Sequence, residues 1–383
     1  MSASVYFTPE HEIFRQSVRK FVEKRMRPYA DEWEKNKGYP LELFKEFAGM
    51  GFFGIRYPEK YGGSGADYWY TVILCEELMR SGMIGCPVDM MVQAEFATGV
   101  LCDEGSEALK QEYLVPAIAG EKIAALGITE PDFGSDVAGI RTSARKDGDA
   151  YIVNGSKTFI TNGNIADFIT LAVRTGKEGV EGISLIIFPT DTPGFTVGQR
   201  LEKVIARSGN TAEIFFENCR VPRKNLLGEE GRGFGYIMDH FQGERLVLAA
   251  FSNGIMQVLL EEGIKFARDR VVFGKPIIRH QVWRHRIADV ITLIETSRQI
   301  TYHAVDLLNR MGQAQREVSI AKLFSTETAK KIGYEMMQIH GGYGLMEEYP
   351  VARLSREVLG LTIGAGTSEI MREIIFRTSV PEV

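Results

Sequence analysis

Cysteine is scarce in this sequence. Its 383 residues include four cysteines, Cys75, Cys86, Cys102 and Cys219, and no two of them form a C-x-x-C pair. Disulfide scaffolds need a higher density of cysteine, and structural zinc sites need closely spaced cysteine or histidine ligands. The sequence therefore excludes a disulfide framework and predicts a protein of a reducing compartment.

Histidine pairs and phosphate-binding loops are missing as well. The six histidines form no H-E-x-x-H pair and do not group with the cysteines, so we expect no metal. No G-x-S-x-G elbow occurs, and Gly155–Thr158 resembles only the end of a P-loop because the upstream glycine is absent. The sequence thus argues against hydrolases and P-loop kinases.

Long apolar runs and blocks of like charge are also absent. No run approaches the roughly 20 apolar residues of a membrane-spanning helix. The formal net charge is -5 without a basic block, so we expect neither nucleic acid nor an anionic membrane as partner. Residues 1–7 lack the features of a secretory signal. These absences predict a cytoplasmic protein of the bacterial type without a targeting segment.

What the sequence does contain is a globular composition whose apolar period changes twice. Hydrophobic residues make up 44% and charged residues 25% of the chain. Helical spacing dominates up to Lys122, and short β-branched and aromatic runs follow as far as Pro222. Helical spacing resumes after Gly231–Gly235. Helices, strands and helices in that order argue against a Rossmann fold.

We therefore predict a mainly α fold with a central β-domain. Residues 1–121 form an N-terminal helical bundle, and residues 122–230 form an antiparallel, barrel-like β-domain. Residues 231–383 form a C-terminal four-helix bundle, because long amphipathic stretches are joined there by short loops.

Two polar segments of the central domain are the candidate ligand site. Ala124–Asp136 begins as an apolar strand and breaks into residues that favour turns. Asn154–Gly163 repeats this arrangement with an aromatic residue beside a hydroxyl. Two such loops on one sheet could hold a planar ligand with polar edges, and ordinary hairpin turns are the alternative.

The order of six motifs resembles that of the acyl-CoA dehydrogenases. The motifs are T-E-P-x-x-G-S-D at 129–136, N-G-x-K-x-x-I-T-N-G at 154–163, E-R at 244–245, R-V-V-F-G-K at 270–275, Q-I-H-G-G-Y-G at 338–344 and G-T-S-E at 366–369. The resemblance covers residues 124–377, and the N-terminal helices fit the family too. It implies FAD as cofactor, acyl-CoA as substrate, electron-transferring flavoprotein as partner and a homotetramer.

The position of the catalytic base distinguishes two branches of that family. Most members carry a carboxylate immediately before the G-T of the last motif, where this sequence has Ala365. The long-chain and isovaleryl-CoA dehydrogenases resemble each other in placing the base in an E-R-L motif, which Glu244-Arg245-Leu246 matches here. We predict that Glu244, which opens a helix, is the base. The ordinary alternative is a solvated acid in the first turn of that helix.

Asp89 is the second candidate for the base. It lies in the segment that usually lines the acyl pocket in the family, and some alicyclic acyl-CoA dehydrogenases use an aspartate from that region. Its ordinary interpretation is an acid at a helix start after Pro87.

The resemblance also assigns the remaining site residues. Contacts to the flavin ring and ribityl chain are expected from Leu126, Ile128, Thr129, Gly134, Ser135, Phe159 and Thr161. Contacts to the FAD of a neighbouring subunit are expected from Arg270, Phe273, Gln281, Gln338, Gly341 and Gly342. Contacts on the adenosine side are expected from Thr367 and Glu369. Substrate contacts are expected from Ser135, Arg245, Gly364, Ala365 and Asp89.

Several of these residues have specific roles and ordinary alternatives. The hydroxyl of Thr161 is expected to donate to flavin N5, and the Ala365 N–H to form an oxyanion site with a ribityl hydroxyl. The alternatives are surface charge for Arg270, core packing for Phe273, and a helix C-cap for the 338–342 segment.

The predicted reaction is FAD-dependent α,β-dehydrogenation of an acyl-CoA to the 2-enoyl-CoA. A carboxylate on one side of the substrate and flavin N5 on the other would remove the α-proton and the β-hydride. Two alternatives stay open, an acyl-CoA oxidase or flavin monooxygenase on the same fold, and a non-catalytic flavin-binding or assembly protein.

Overall fold

The computed structural model of the chain describes residues 6–380 and begins with a helical domain. Thr8 starts the first helix, because its side chain accepts a hydrogen bond from the His11 N–H and Pro9 occupies the first helical position. The helices of this domain are α1 Pro9–Arg25, α2 Ala30–Asn36, α3 Glu42–Gly49, α4 Tyr68–Leu78, α5 Gly85–Met91, α6 Gly99–Glu104, α7 Glu107–Leu109 and α8 Val115–Ile118.

Two helices predicted as continuous contain a π-helical turn. Helical spacing predicts single helices over 88–102 and 107–118, whereas π-turns occupy Val92–Phe96 and Lys110–Leu114. Isolated π-turns are frequent at functional sites. The first of them packs against the long helix of the C-terminal domain and carries a buried glutamate, Glu95.

Within residues 6–380, eight strands form one sheet in the central domain. They are β1 Ala124–Gly127, β2 Ser143–Asp147, β3 Ala150–Thr161, β4 Phe168–Arg174, β5 Ile183–Pro189, β6 Phe195–Arg200, β7 Thr211–Pro222 and β8 Leu226–Leu227. The order is β6-β7-β3-β2-β4-β5-β8, with β1 beside β4. Most pairs are antiparallel as predicted, but β1 and β2 pair with β4 in parallel.

The second polar segment is a strand rather than the predicted loop. β3 runs through it, and its pairing with β7 shifts register between Val153 and Gly155 and again between Lys157 and Ile160. Positive φ angles of 144° at Gly155 and 59° at Phe159 accompany these two irregularities. Such bulges bend a strand and redirect its side chains. The Phe159 ring consequently stands clear of the sheet and is 68% exposed.

The C-terminal domain is helical apart from one short hairpin. Its elements are α9 Gly233–Asp269, β9 Val271–Val272, β10 Lys275–Pro276, α10 Gln281–Met311, α11 Gln315–His340, α12 Pro350–Leu361 and α13 Ser368–Ser379. The predicted order of helices, strands and helices is confirmed. Across residues 6–380, no helix has the length and apolar character needed to cross a membrane.

Helix α9 joins the two helical domains through a shared core. One continuous cluster of buried residues contains Phe47 and Leu78 from the N-terminal helices together with Leu246 and Phe251 from α9. Because a helix surrounded on both sides by apolar packing has little solvent-facing surface, polar side chains on α9 are forced into the interior. Glu244 is one of them.

Candidate active site

A buried ion pair fixes the two polar segments of the β-domain to each other. Lys157 Nζ donates to Glu130 Oε1 and to the carbonyl of Ile128, at 2.9 Å in both cases. The Thr158 N–H donates to the Thr129 carbonyl at 3.0 Å. These contacts hold the backbone of the first segment against β3, on which the second segment lies.

The same pair shifts the pKa values of both partners. Burial lowers the pKa of Lys157 to about 8, although Glu130 opposes that shift. Burial raises the pKa of Glu130, but Lys157 and the Arg141 N–H lower it by more, so its pKa lies below the ordinary value. Glu130 also accepts from the N–H groups of Arg141 and Thr142 at 2.7 and 2.8 Å. The pair is therefore fully supplied with partners.

The predicted flavin contacts lie on an accessible surface beside this pair. Leu126 is half-buried in a strand whose other residues are buried. Ser135 is exposed, and a Cβ placed on Gly134 would meet no atom within 4 Å. The Phe159 ring is also exposed, and Thr161 is half-buried.

Two other predicted contacts are less accessible to a ligand. Ile128 is 7% exposed, and its carbonyl already accepts from Lys157. The carbonyl of Thr129 is occupied by the Thr158 N–H, which leaves the half-buried Thr129 side chain free to contact a ligand. Ile128 thus supports the loop from inside.

The residues assigned to a neighbouring subunit's cofactor lie on a different surface. Phe273 is 95% exposed, so the alternative of core packing is wrong for this residue within a single chain. The Arg270 guanidinium lies 5.8 Å from the ring centre of Tyr343, which brings the 270–275 and 338–344 motifs together. Gln281, the first residue of α10, is exposed.

The remaining residues of that set cluster at the end of α11. Gln338 and Gly342 are exposed, and Gly341 follows the last residue of the helix with a φ of 57°. Gly341 therefore also acts as a helix terminator. Thr367 caps α13 by accepting from the Ile370 N–H, and Glu369 is exposed.

Glu244 is a buried carboxylate, contrary to the expectation that it opens a helix. It lies well inside α9, is 5% exposed, and its Oε1 has no hydrogen-bond partner among residues 6–380. Burial raises its pKa to about 8, with Arg245 opposing the shift and Glu95 adding to it. The alternative of a solvated acid in a first helical turn is therefore wrong.

Glu95 and Arg56 are two residues near Glu244 that the sequence did not single out. Arg56 Nε donates to both carboxylate oxygens of Glu95, at 3.1 and 3.0 Å, and the Thr71 hydroxyl adds a third donor at 3.1 Å. The guanidinium carbon of Arg56 lies 3.9 Å from the ring centre of Tyr68. Glu95 thus carries a neutralised charge, unlike Glu244. No local pattern reveals this pair, because its members lie far apart in the chain.

Arg245 and Lys322 are two buried cationic residues near the turn that contains Ala365. Arg245 is 2% exposed, and its Nε and Nη1 have no hydrogen-bond partner among the described residues. Lys322 on α11 is fully buried and donates to the Gly366 carbonyl at 2.6 Å. Burial and Arg245 together lower the pKa of Lys322 to about 8. Lys322 was also missed by sequence reasoning.

The turn itself has an unusual backbone. Ala365 and Gly366 have φ angles of 51° and 97°, so two successive residues lie in the left-handed region. A Cβ on Gly364 would meet Leu248 at 3.6 Å and the Gly360 carbonyl at 3.7 Å, which are ordinary contact distances. The space beside Gly364 is therefore open enough for an added group.

Asp89, the second candidate for the base, is buried and has several hydrogen-bond donors. Its Oδ2 accepts from the Tyr39 hydroxyl at 2.9 Å and from the backbone and side chain of Asn210 at 2.7 and 3.1 Å. Burial raises its pKa to about 6, while Asn210 opposes the shift. These bonds account for the buried carboxylate without proton transfer. Within residues 6–380, no group of three or more potential ligands is arranged to hold a metal ion.

Comparison with known proteins finds three family models that together cover most of the chain. Residues 8–121, 125–219 and 231–380 match the acyl-CoA dehydrogenase N-terminal, middle and C-terminal domains. The chain belongs to the acyl-CoA dehydrogenase family. An acyl-CoA dehydrogenase of Bacillus subtilis is 39% identical over 97% of this chain and 98% of its own. The pig mitochondrial long-chain specific acyl-CoA dehydrogenase is 35% identical over 98% of this chain and 87% of its own.

Solved structures of the family share the whole architecture. An acyl-CoA dehydrogenase from Geobacillus kaustophilus superposes with a TM-score of 0.95 at 41% identity, covering 99% of this chain and 100% of that one. A glutaryl-CoA dehydrogenase from Mycobacterium smegmatis in complex with FADH2 gives 0.93 at 29% identity, covering 100% and 97%. Members of the family are FAD-dependent oxidoreductases, and this chain is one of them. The exposed Phe159 ring and the open surface at Gly134 fit a planar ring system.

Proposed function

We propose that the protein converts an acyl-CoA thioester to the 2-enoyl-CoA, with Glu244 as the base. The observation that supports this proposal most strongly is the state of Glu244. It is a buried carboxylate, one of its oxygens has no hydrogen-bond partner among the described residues, and its pKa is raised to about 8. A carboxylate in this state is a stronger proton acceptor than a solvated one, and perturbed groups of this kind cluster at catalytic sites. When bound, FAD supplies the acceptor for the β-hydride at N5.

The proton step is carried out by Glu244 of α9, and Glu95 and Arg56 adjust its pKa. Glu244 takes the α-proton and becomes neutral, which relieves the cost of holding a charge in an apolar interior. Glu95 favours protonation of Glu244 because its negative charge raises the pKa of Glu244. Arg56 reduces this influence because it pairs with Glu95 and neutralises its charge. The site is therefore organised so that protonation of Glu244 is favourable.

Negative charge that develops on the thioester oxygen is stabilised by the turn that contains Ala365. We assign the Ala365 N–H as donor to that oxygen, which accords with its left-handed backbone. Lys322 holds the next carbonyl, and Arg245 adds a second buried positive charge. Both cations act in a poorly solvated region, where charge interactions are stronger than in water.

The substrate assignment rests on Gly364. Because a Cβ there meets neighbours only at ordinary contact distance, we propose that a branched acyl chain, such as a 3-methyl one, is accepted beside the α and β carbons. Rates of flavin reduction by isovaleryl-CoA and by straight C4 to C16 acyl-CoAs test this assignment. Reduction by straight chains alone would remove it.

A homotetramer and an electron-transferring flavoprotein are the proposed partners. An apolar side chain that is 95% exposed, as Phe273 is, favours burial against another surface. Its position at the tip of the β9–β10 hairpin suits contact with a second copy. Sedimentation of Phe273→Ser is expected to show a smaller assembly than the parent chain.

The deciding experiment is anaerobic mixing of the purified yellow protein with acyl-CoA. We expect the flavin absorbance to bleach and to recover when electron-transferring flavoprotein is added. Rapid recovery with oxygen alone would instead indicate an oxidase or monooxygenase. Absence of bleaching with every chain length would indicate a non-catalytic flavin-binding protein.

A further inference from the structure

One turn of the β-domain is held by three buried carboxylates from both helical domains. The turn comprises residues 206–210, between β6 and β7. The carboxylates, which we name the junction carboxylates, are Glu34 of α2, Asp89 of α5 and Glu357 of α12, and all are at most 6% exposed. Each accepts hydrogen bonds from backbone N–H groups of the turn. The turn therefore lies where the three domains meet.

Glu34 and Glu357 hold the first part of the turn. Glu357 Oε2 accepts from the Ala206 N–H at 2.8 Å. Glu34 accepts from the N–H groups of Arg207 and Ser208 at 3.2 and 3.0 Å. Buried N–H groups need acceptors, and charged acceptors make the stronger bonds. These two carboxylates anchor the turn but do not contact β3.

Asp89 holds the end of the turn, which does contact β3. The Asn210 N–H and side-chain amide both donate to Asp89 Oδ2, and the Asn210 carbonyl accepts from the Asn162 N–H at 2.8 Å. The Asn162 side chain donates to the carbonyls of Asp89 and Ala124, at 3.1 Å each. Asn162 directly follows Thr161, the predicted partner of flavin N5. A continuous set of bonds therefore links α5 to the flavin-facing end of β3.

Close packing makes this link rigid. A Cβ on Gly85, the first residue of α5, would lie 2.4 Å from Ser208 Oγ and 2.5 Å from the Gly209 nitrogen. The helix start and the turn are thus in direct contact, without space for a solvent layer. Asn162 has a φ of 64°, so its two side-chain bonds also hold a left-handed backbone in place.

We infer that Asp89 is a positioning residue that fixes the flavin-facing end of β3 against the helices that carry the acyl site. This inference rests on the proposed function. Hydride transfer depends on the placement of the two reacting carbons and the ring, and an error of about 1 Å can reduce a rate about a hundredfold. Proton abstraction by Glu244 depends on α9 instead. Loss of Asp89 is therefore expected to slow hydride transfer and to spare proton abstraction.

The variants Asp89→Asn and Asp89→Ala distinguish a positioning role of Asp89 from a role as the catalytic base. An amide oxygen can accept the bonds from Asn210 and Tyr39, but it cannot take the α-proton. For the FAD-loaded Asp89→Asn variant, we expect flavin reduction and α-proton exchange within about threefold of the parent. For Asp89→Ala, we expect flavin reduction to fall at least about tenfold, exchange to stay within about threefold, and the visible spectrum of bound FAD to shift.

Glu34→Ala is the matched control. It removes acceptors from the same turn but has no contact with Asn210 or Asn162, so it should lower stability and leave the FAD spectrum unchanged. If Asp89→Ala does not fold, Asn210→Ala tests the same link by removing one bond to Asp89. It should change the FAD spectrum in the same direction by a smaller amount.

Three outcomes would overturn the inference. The first is loss of α-proton exchange in Asp89→Asn, which would make Asp89 the base. The second is an unchanged spectrum and reduction rate in Asp89→Ala or, if that variant does not fold, an unchanged spectrum in Asn210→Ala. The third is an equal spectral shift in Glu34→Ala, which would indicate general loosening of the junction. Because the spectrum needs no acyl-CoA, this readout is independent of whether the proposed reaction occurs.

Discussion

The two polar segments of the β-domain and the Glu244 region of α9 differ in how their buried charges are paired. In the first region, Lys157 and Glu130 neutralise each other and share backbone partners. In the second, Glu244 Oε1 and two nitrogens of Arg245 have no hydrogen-bond partner among residues 6–380. The charged side chains are buried in both regions, so the difference lies in their hydrogen bonding rather than in their exposure.

This difference distinguishes buried charges that stabilise the backbone from a buried charge that is available for a reaction. A buried ion pair that also binds backbone groups holds the backbone in place. Removing one member leaves the other charge buried and uncompensated, which strongly lowers the free energy of unfolding. An unpartnered buried carboxylate is unfavourable in the folded chain, and a raised pKa is the result. We infer that the Lys157–Glu130 pair holds the polar segments of the β-domain in place, whereas Glu244 on α9 remains available to accept a proton.

The largest expected effect comes from removing the reactive charge. Glu244→Gln keeps the shape of the side chain but cannot accept a proton. We expect the rate of flavin reduction by acyl-CoA to fall by about 10²- to 10⁴-fold, as is typical when a general base is lost. Stopped-flow absorbance measures this rate. Glu262→Gln on the same helix is the control and should react at the parent rate.

Lys157→Met tests the paired region by leaving Glu130 buried without its cation. The free energy of unfolding should fall by about 3–5 kcal/mol, because breaking a buried pair leaves an uncompensated charge. Chemical denaturation measures this change. The double variant Lys157→Met with Glu130→Gln should recover much of the loss. A single variant as stable as the parent would show that the pair does not support the loop.

Thr161→Val removes one hydroxyl from the same surface and leaves the pair intact. A hydrogen bond to a charged group contributes about 1.5–3 kcal/mol, so we expect flavin reduction to slow by roughly ten- to a hundredfold. Thr158→Val, three residues earlier on β3, is the control. Equal rates in the two variants would contradict a specific role for Thr161.

The smallest effect is the response of the rate to pH. Because Glu244 must be unprotonated to act and its pKa is about 8, flavin reduction should increase about fivefold between pH 7 and pH 8. Stability should respond in the opposite direction. The folded pKa lies above the ordinary value of 4.5, so the contribution of Glu244 is present below pH 4.5 and is lost as the pH rises through 8. A rate independent of pH over this interval would argue against Glu244.

The features predicted correctly from the sequence are those that depend on neighbouring residues. Changes of apolar period predict the order of helices and strands, and residues that favour turns predict the loop after β1. The strand through the second segment was missed because its bulges at Gly155 and Phe159 depend on pairing with β7. Glu95 with Arg56 and Lys322 with Gly366 were missed because their partners are 39 and 44 residues away.

The most direct test of Glu244 as the base is exchange of the substrate α-proton with D2O. The parent holoenzyme and Glu244→Gln are incubated anaerobically with an acyl-CoA, and deuterium incorporation at the α carbon is followed by mass spectrometry. We expect incorporation with the parent and a rate lower by about 10²-fold or more with the variant. Incorporation at the parent rate by Glu244→Gln would show that another group removes the proton.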